Sequence, residues 1–156
     1  MRTLILFLLF LFPCSCSTIS DFTYQMELHR FVRNFEEDCN CKVTVPIKIV
    51  AVPSDKDGYK TLGVCYGFRM PSIFRSIQID KDYWATANYY EKESTIYHEL
   101  AHCQLDLEHT DEWVGNYVLF GRPKSIMYPY SFPQYEQFRD EYIKELFSRK
   151  PGPWKF

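Results

Sequence analysis

The sequence predicts an α+β domain with a small twisted sheet that is mostly parallel or mixed. The chain has 156 residues, the usual length of one domain, and 46% of them are hydrophobic, which is enough for a packed core. Apolar residues recur at helical spacing near the start of the domain, in its middle and at its end, and short stretches with alternating apolar residues lie between the first two of these segments. We therefore expect one domain over residues 20–150, with the order helix, strands, helix, loop, helix.

The first 16 residues are typical of a secretory signal peptide. Arg2 gives a positive start, Leu4–Phe12 form an unbroken apolar run, and small residues and cysteines follow. A membrane-spanning helix, the alternative, needs about 20 apolar residues, roughly twice this run. Because Cys14 and Cys16 end the segment, a lipoprotein signal with a lipidated cysteine is a further alternative. We expect an exported protein that is secreted, periplasmic or lipid-anchored at the cell envelope.

Export changes the interpretation of the four cysteines that follow, Cys39, Cys41, Cys65 and Cys103. An even number of cysteines in an oxidising compartment predicts disulfides, and Cys65–Cys103 is the pairing to test first. Zinc binding by thiols is disfavoured, because Cys39-x-Cys41 lacks the two-residue gap of the common zinc knuckles. Free buried cysteines are the remaining alternative.

The first half of the chain predicts a helix and then a strand. Apolar side chains recur at helical spacing over residues 21–38, with Ser20 or Asp21 as the expected N-cap. Residues 42–52 alternate apolar side chains on one face, as a strand does. Pro46 lacks an amide proton, so this strand should lie at the edge of the sheet or contain a break.

The remaining elements follow from the same patterns. Two further strands are expected at Thr61–Phe68 and Ser76–Ile79. Residues 88–105 contain no Pro or Gly and predict a helix. After an irregular segment, residues 133–150 space apolar side chains along one helical face, with Pro133 in the first turn. Pro151-Gly152-Pro153 should end that helix, which leaves residues 151–156 as a C-terminal tail.

The helix over residues 88–105 contains an H-E-x-x-H motif. His98 and His102 are four residues apart, so both imidazoles project from one helical face, one turn apart. That spacing lets two ring nitrogens reach one metal ion at about 2.0–2.1 Å. Glu99 would border the open side of the metal, where a carboxylate can accept a proton from water. Two surface histidines that merely share a helix face are the alternative, which the complete motif disfavours.

His109 is the expected third ligand, provided that the helix ends soon after His102. In a continuous helix, His109 would lie about 10 Å further along the axis, too far to share one ion. The chain must therefore reverse, yet no glycine lies between His102 and Thr110 to take the usual left-handed conformation. Asp106 is the best residue for this turn, because Asp tolerates that conformation better than the neighbouring leucines.

The stretches HELAHCQLDLEH and SIMYPY (Ser125–Tyr130) resemble the motifs of the metzincin zinc metalloproteases. These enzymes share the pattern H-E-x-x-H-x-x-G-x-x-H and a methionine in a tight turn below the metal. SIMYPY is especially similar to the methionine turn of matrix-metalloprotease-like members. The close resemblance extends from Ile96 to Tyr130, and it implies a metzincin-like fold with an active-site helix, a methionine turn and a C-terminal helix.

The resemblance also implies roles for individual residues. His98, His102 and His109 would be the ligands of one catalytic zinc ion, and Glu99 would be the general base. Met127 would be the turn methionine, and the turn and pocket residues would be Tyr128, Pro129 and Tyr130. The resemblance further implies that Ser76–Asp80 is the edge strand to which an extended peptide substrate adds as a new strand.

The third-ligand region departs from the family pattern. Leu105 stands where the family has glycine, and His109 comes one residue late, with Glu108 at the family spacing. Glu108, Asp111 or, as in the thermolysin-like arrangement, a downstream Glu136 are therefore alternatives to His109. We favour His109 because imidazole suits zinc and because the turn before it can absorb the extra residue.

Together these inferences predict a zinc metalloendopeptidase that hydrolyses peptide bonds by a zinc-activated water, with Glu99 as general base. The expected partners are peptide or protein substrates, bound by a monomer, with membrane contact only through a lipid anchor. A net charge of −2 gives no electrostatic footprint for nucleic acid. Two other classes stay open: a non-catalytic zinc-binding envelope protein, and a zinc amidase that acts on cell-wall peptides.

Overall fold

The computed structural model describes residues 19–55, 58–115 and 121–149. Its helices are α1 (Ile19–Cys39), α2 (Lys81–Thr86), α3 (Tyr89–Leu105) and α4 (Arg139–Ser148), and its strands are β1 (Ile47–Val50), β2 (Gly63–Tyr66), β3 (Ser76–Asp80), β4 (Trp113–Val114) and β5 (Arg122–Pro123). This mixture of helices with a small mixed sheet confirms the α+β class. The expected signal over residues 1–16, with Cys14 and Cys16, and the tail 151–156 lie outside the described residues.

The main sheet has the strand order β1-β3-β2, with β1 parallel and β2 antiparallel to β3. Because β3 is paired on both sides, the expectation that Ser76–Asp80 forms an edge strand is wrong. Ile77 and Ile79 are fully buried, as suits a central strand. The sequence left either an edge position or a break for the strand that contains Pro46, and β1, which begins just after Pro46, lies at the edge of this sheet. The carbonyl of Pro46 accepts a hydrogen bond from the Ile77 amide (2.9 Å).

Helix α1 covers the region expected to be helical and buries Leu28, Phe31 and Phe35 in the core. The described backbone is already helical at Ile19, so the expectation that Ser20 or Asp21 forms the N-cap is wrong. The helical spacing of the apolar residues predicted this helix correctly, because α1 packs its apolar face against α3 and α4.

Local hydrogen bonds fix the starts of the two central helices. The carboxylate of Asp80 caps the unpredicted helix α2 by accepting from the Tyr83 amide (2.8 Å). Asn88 and Glu91 form a capping box at the start of α3, in which each side chain accepts from the other residue's backbone amide. This cap sets the beginning of the helix that the sequence predicted over residues 88–105.

The C-terminal helix begins later than expected. Residues 133–135 form a turn, Glu136–Phe138 form a single 3-10 turn, and α4 begins only at Arg139, so the placement of Pro133 in the first helical turn is wrong. A tertiary contact explains the difference. The buried carboxylate of Glu93 on α3 accepts hydrogen bonds from the hydroxyl of Tyr135 (3.0 Å) and from Nε of Arg139 (2.6 Å), which holds this segment across α3.

Two disulfides are present, Cys39–Cys41 and Cys65–Cys103, which confirms the disulfides expected from the sequence and the pairing of Cys65 with Cys103. The second joins β2 to α3, with its Cα atoms 5.6 Å apart. Disulfides of this kind indicate an oxidising, exported environment. Within the described residues, no helix has both the length and the apolar character needed to cross a membrane.

Candidate metal centre

Helix α3 and the chain that follows it bring three histidines together. His98 and His102 lie one turn apart on α3, and their Nε2 atoms are 3.1 Å apart. The Nε2 atom of His109 lies 3.0 Å from that of His98 and 2.9 Å from that of His102. The three nitrogens thus converge on one point, as the sequence predicted for His109.

The return of His109 depends on the left-handed residue that ends α3. Asp106 has φ 55° and ψ 32°, which confirms the turn residue expected from the sequence. The next amide, that of Leu107, donates back to the carbonyl of Ala101 (3.0 Å) and closes the end of the helix. The chain therefore leaves the helix axis at Asp106 and reaches His109 beside the first two imidazoles.

Backbone carbonyls fix which nitrogen carries the proton in two of the rings. Nδ1 of His98 lies 2.8 Å from the carbonyl oxygen of Ile126, and Nδ1 of His102 lies 2.6 Å from that of Leu107. A carbonyl only accepts, so both Nδ1 atoms are protonated and both Nε2 atoms present lone pairs. Two lone pairs 3.1 Å apart repel each other unless a cation lies between them.

The spacing of the nitrogens fits a small transition-metal ion. Ligand nitrogens at about 2.0–2.1 Å from a tetrahedral zinc lie roughly 3.3 Å from one another, close to the separations of 2.9–3.1 Å found here. His98, His102 and His109 could therefore hold a metal ion.

The alternative third ligands lie elsewhere. Glu108, which occupies the family spacing, is ion-paired with Arg69. Among the described residues, the cluster that could hold a metal contains the three histidines and includes neither Asp111 nor Glu136. Of the candidates that the sequence left open, the structure brings His109 to the other two rings.

The site keeps its imidazoles neutral. Burial, together with the neighbouring rings of His102 and His109, lowers the pKa of His98 to about 3. Burial also lowers the pKa of His102 to about 4, and it lowers the pKa of His109. At neutral pH all three rings are uncharged, which is the form that binds metal ions.

Glu99 directly follows His98 on α3, and its side chain occupies a tight space against β2. Its side chain is only 6% exposed, and burial raises its pKa to about 8, opposed by a hydrogen bond from the Cys65 amide. A Cβ atom at Gly63 would lie 2.8 Å from Cγ and 2.9 Å from Oε1 of Glu99. The absence of a side chain at Gly63 therefore leaves room for the carboxylate.

The segment Ser125–Tyr128, where the sequence resemblance places a methionine turn, packs against this region. The amide of Tyr128 donates to the carbonyl of Ser125 (3.2 Å), which closes a tight turn around Ile126 and the fully buried Met127. The amide of Thr110 donates to the carbonyl of Met127 (3.0 Å) and ties the turn to the segment after His109. The turn thus contributes one carbonyl to His98 and another to the chain that carries His109.

The residues after Met127 form an aromatic surface. The ring of Tyr128 lies 5.5 Å from that of Trp113 and 5.7 Å from that of Tyr130, in edge-on contacts. Pro129 and Tyr130 are exposed. A role for these three residues in a specificity pocket stays a prediction.

Two residues that support the site were not identified from the sequence. Gly63 makes room for Glu99, and the buried Arg75 pairs with Asp106 at the end of α3. An isolated glycine in a strand often indicates that another group approaches the backbone closely, so the sequence could have indicated the role of Gly63. Arg75 carries no local signal, because its partners at the end of α3, Cys103 and Asp106, are remote in the sequence.

Comparisons of the chain with models of protein families, with curated proteins and with solved structures find no match.

Proposed function

We propose that this chain is a zinc-dependent metallopeptidase in which Glu99 is the general base. The observation that carries the proposal is the convergence of three Nε2 atoms, two of them fixed as acceptors, on a helix in which the buried Glu99 directly follows the first of these histidines. Ion binding alone has no need of a carboxylate next to the ligands, whereas hydrolysis needs a base there. A hydrolase therefore accounts for the motif better than a non-catalytic zinc-binding protein does.

The donor set favours zinc. Three neutral imidazoles suit zinc and neighbouring transition metals, whereas magnesium and calcium prefer oxygen ligands. Three protein ligands leave a coordination position open, as catalytic zinc sites do.

The residues around the ligands would divide the reaction between them. A zinc ion held there would supply the positive charge that acidifies water and polarises a peptide carbonyl. The positive charge of a zinc ion held there would also lower the pKa of Glu99 from the raised value that burial gives it, and so favour its charged form. Glu99 would then accept the proton of the attacking water and pass it to the leaving amine. Gly63 and the Cys65 amide would hold the Glu99 carboxylate in position while this proton moves.

The outer edge of β2 is the proposed place for the substrate backbone. In the described sheet β2 pairs only with β3, so its other edge has no partner strand there, and the Cys65 amide on that edge donates to Glu99. Gly63 and Cys65 of this strand also contact Glu99. An extended peptide added to β2 would therefore pass the proposed base, which moves the substrate strand from Ser76–Asp80 to Gly63–Tyr66.

Export by a removed signal also belongs to this proposal. The two disulfides favour an oxidising compartment, and the sequence predicts a secreted, periplasmic or lipid-anchored protein. The expected form is a monomer that acts on peptide or protein substrates outside the cytoplasm.

Metal analysis and a proteolysis assay test the proposal together. The purified protein should contain about one zinc ion per chain and should cleave casein until a chelator is added. The Glu99→Gln variant should keep the zinc and lose about 10²–10⁴-fold in rate. Glu108→Gln, a carboxylate change beside the site, is the matched control and should keep the parent rate.

Three results would contradict the proposal. Cleavage by Glu99→Gln at the parent rate would remove Glu99 as the base. Zinc binding without hydrolysis of any substrate would favour the non-catalytic envelope protein. Cleavage of cell-wall peptides but not of casein would favour the amidase.

A further inference from the structure

The connection between β2 and β3 displays large apolar side chains to solvent. Met70, Ile73 and Phe74 are 48%, 82% and 61% exposed, and Tyr66 at the end of β2 is 43% exposed. Single exposed apolar residues are common, but several within one short segment mark an interaction site. We call residues 66–74 the apolar loop.

The backbone of the apolar loop is held by its own hydrogen bonds. The amide of Met70 donates to the carbonyl of Gly67 (2.8 Å), and the amide of Phe74 donates to the carbonyl of Pro71 (2.9 Å). Gly67 has φ 73°, and a Cβ atom there would lie 2.6 Å from the carbonyl oxygen of Phe74. The exposure of these side chains is therefore a feature of a defined loop conformation.

A buried arginine attaches the loop to the end of α3. Nε of Arg75 donates to the carbonyl of Met70 (2.5 Å), and Nη1 donates to the carbonyl of Cys103 (2.7 Å). Cys103 directly follows His102. The loop is thus fixed to the helix turn that carries the second histidine of the candidate metal centre.

The apolar loop is continuous with the metal centre and with the open edge of β2. The ring of Phe68 lies 5.3 Å from that of His102, edge-on. Arg69 is ion-paired with Glu108, the residue before His109. Because this pair offsets the charge of Arg69, the loop offers apolar contact and little net charge to a partner.

We propose that the apolar loop binds apolar side chains of an extended peptide substrate, on one side of the bond that is cleaved. This inference rests on the proposed function. A peptide added along β2 and continued past Tyr66 meets Met70, Ile73 and Phe74 next. The substrate class is therefore an unfolded or extended polypeptide segment with large apolar residues near the scissile bond.

Binding can be measured without turnover in the zinc-loaded Glu99→Gln protein. Three short fluorescent peptides are compared by anisotropy: one with Leu and Phe before the central bond, one with them after it, and one of Gly and Ser only. The paired change Ile73→Ser and Phe74→Ser should weaken binding of one apolar peptide by about tenfold and leave the other within about twofold. Met26→Ser on α1, also an exposed apolar residue, is the matched control.

The outcomes separate this inference from the proposed function. If the paired change leaves the binding of each apolar peptide as it was in the parent, the inference is overturned, even if the parent cleaves casein. If the paired change instead abolishes binding to phosphatidylcholine vesicles and leaves peptide binding unchanged, the loop binds a lipid surface and the inference is overturned. If it abolishes a dimer and leaves peptide binding unchanged, the loop binds a second copy of the chain and the inference is again overturned. Failure of the zinc-loaded parent to cleave any peptide would refute the proposed function, while the anisotropy series would still show whether the loop binds apolar peptides.

Discussion

The buried Arg75 forms an ion pair with the partly buried Asp106, with Nη2 2.9 Å from Oδ1, at the residue where α3 ends. The same guanidinium donates to the carbonyls of Met70 and Cys103. One side chain therefore joins the helix end, the left-handed residue that turns the chain toward His109, and the loop after β2. The position of the third histidine depends on a contact that spans about thirty residues of sequence, from Arg75 to Asp106.

Replacing Arg75 should destabilise the fold and weaken metal binding. Arg75→Met leaves the carboxylate of Asp106 and two carbonyls without the guanidinium, so the free energy of unfolding should fall by about 3–5 kcal/mol. Urea unfolding in the presence of a chelator measures this loss, and competition with a chromophoric chelator measures zinc affinity.

Asp106→Gly provides the comparison for Arg75→Met. Glycine adopts the left-handed conformation without strain, so this variant loses the ion pair but relieves about 1–2 kcal/mol at the turn. The double variant should be more stable than the sum of the two single effects predicts, because both remove the same pair. Strict additivity would show that Arg75 and Asp106 act independently.

His109, and not Glu108, should determine metal affinity. His109→Ala removes one of three converging nitrogens and should lower zinc affinity by at least about 100-fold, measured by chelator competition. Glu108→Ala, which loses only its ion pair with Arg69, should stay within about threefold of the parent. The reverse pattern would mean that the chain after Asp106 takes another path and that Glu108 is the ligand.

Gly63→Ala should impair catalysis without removing the metal. The added methyl group would lie 2.8 Å from Cγ of Glu99, so the carboxylate must move from its position. We expect normal zinc content and a fall in kcat of about 10–100-fold. In the Glu99→Gln background the same change should have little further effect on kcat, because the displaced group is already inactive. An equal fall in both backgrounds would indicate general distortion of β2.

The parts of the site that could be predicted from the sequence depend on local geometry. The spacing of His98 and His102 fixes their common face on any helix. In a continued helix His109 would lie too far along the axis from His102, so the chain must reverse its direction before His109. Of the residues in between, Asp106 best tolerates the left-handed conformation that such a reversal needs. Both expectations follow from bond geometry within twelve residues, and the structure agrees with them.

The parts that could not be predicted depend on contacts between remote segments. Strand order is not encoded in the periodicity of any one strand, so the resemblance placed β3 at the edge although it lies in the centre. Similarly, the turn after Pro133 follows from the contact of Tyr135 and Arg139 with Glu93, more than forty residues earlier in the chain. No window of sequence around Pro133 contains that carboxylate.

Asp80 should account for part of the loss of stability in acid. Burial alone would raise its pKa, but hydrogen bonds from the amides of Tyr83 and Val52, together with Lys60, outweigh burial and lower the pKa below its ordinary value of 3.8. The folded pKa is thus lower than the unfolded one. The charged form therefore stabilises the fold fully above about pH 4, and this contribution is lost as the pH falls through the folded pKa.

The test compares Asp80→Asn with the parent by urea unfolding at pH 7 and pH 3, with chelator present throughout. Asparagine retains a cap for α2 but loses the charge, so the variant should be less stable by about 1 kcal/mol at pH 7. The difference should shrink at pH 3, because the parent then begins to lose the same charge. Asp82→Asn, an exposed change in the first turn of α2, is the control and should show no such convergence. A constant difference between Asp80→Asn and the parent at both pH values would show that the charge of Asp80 does not stabilise the fold.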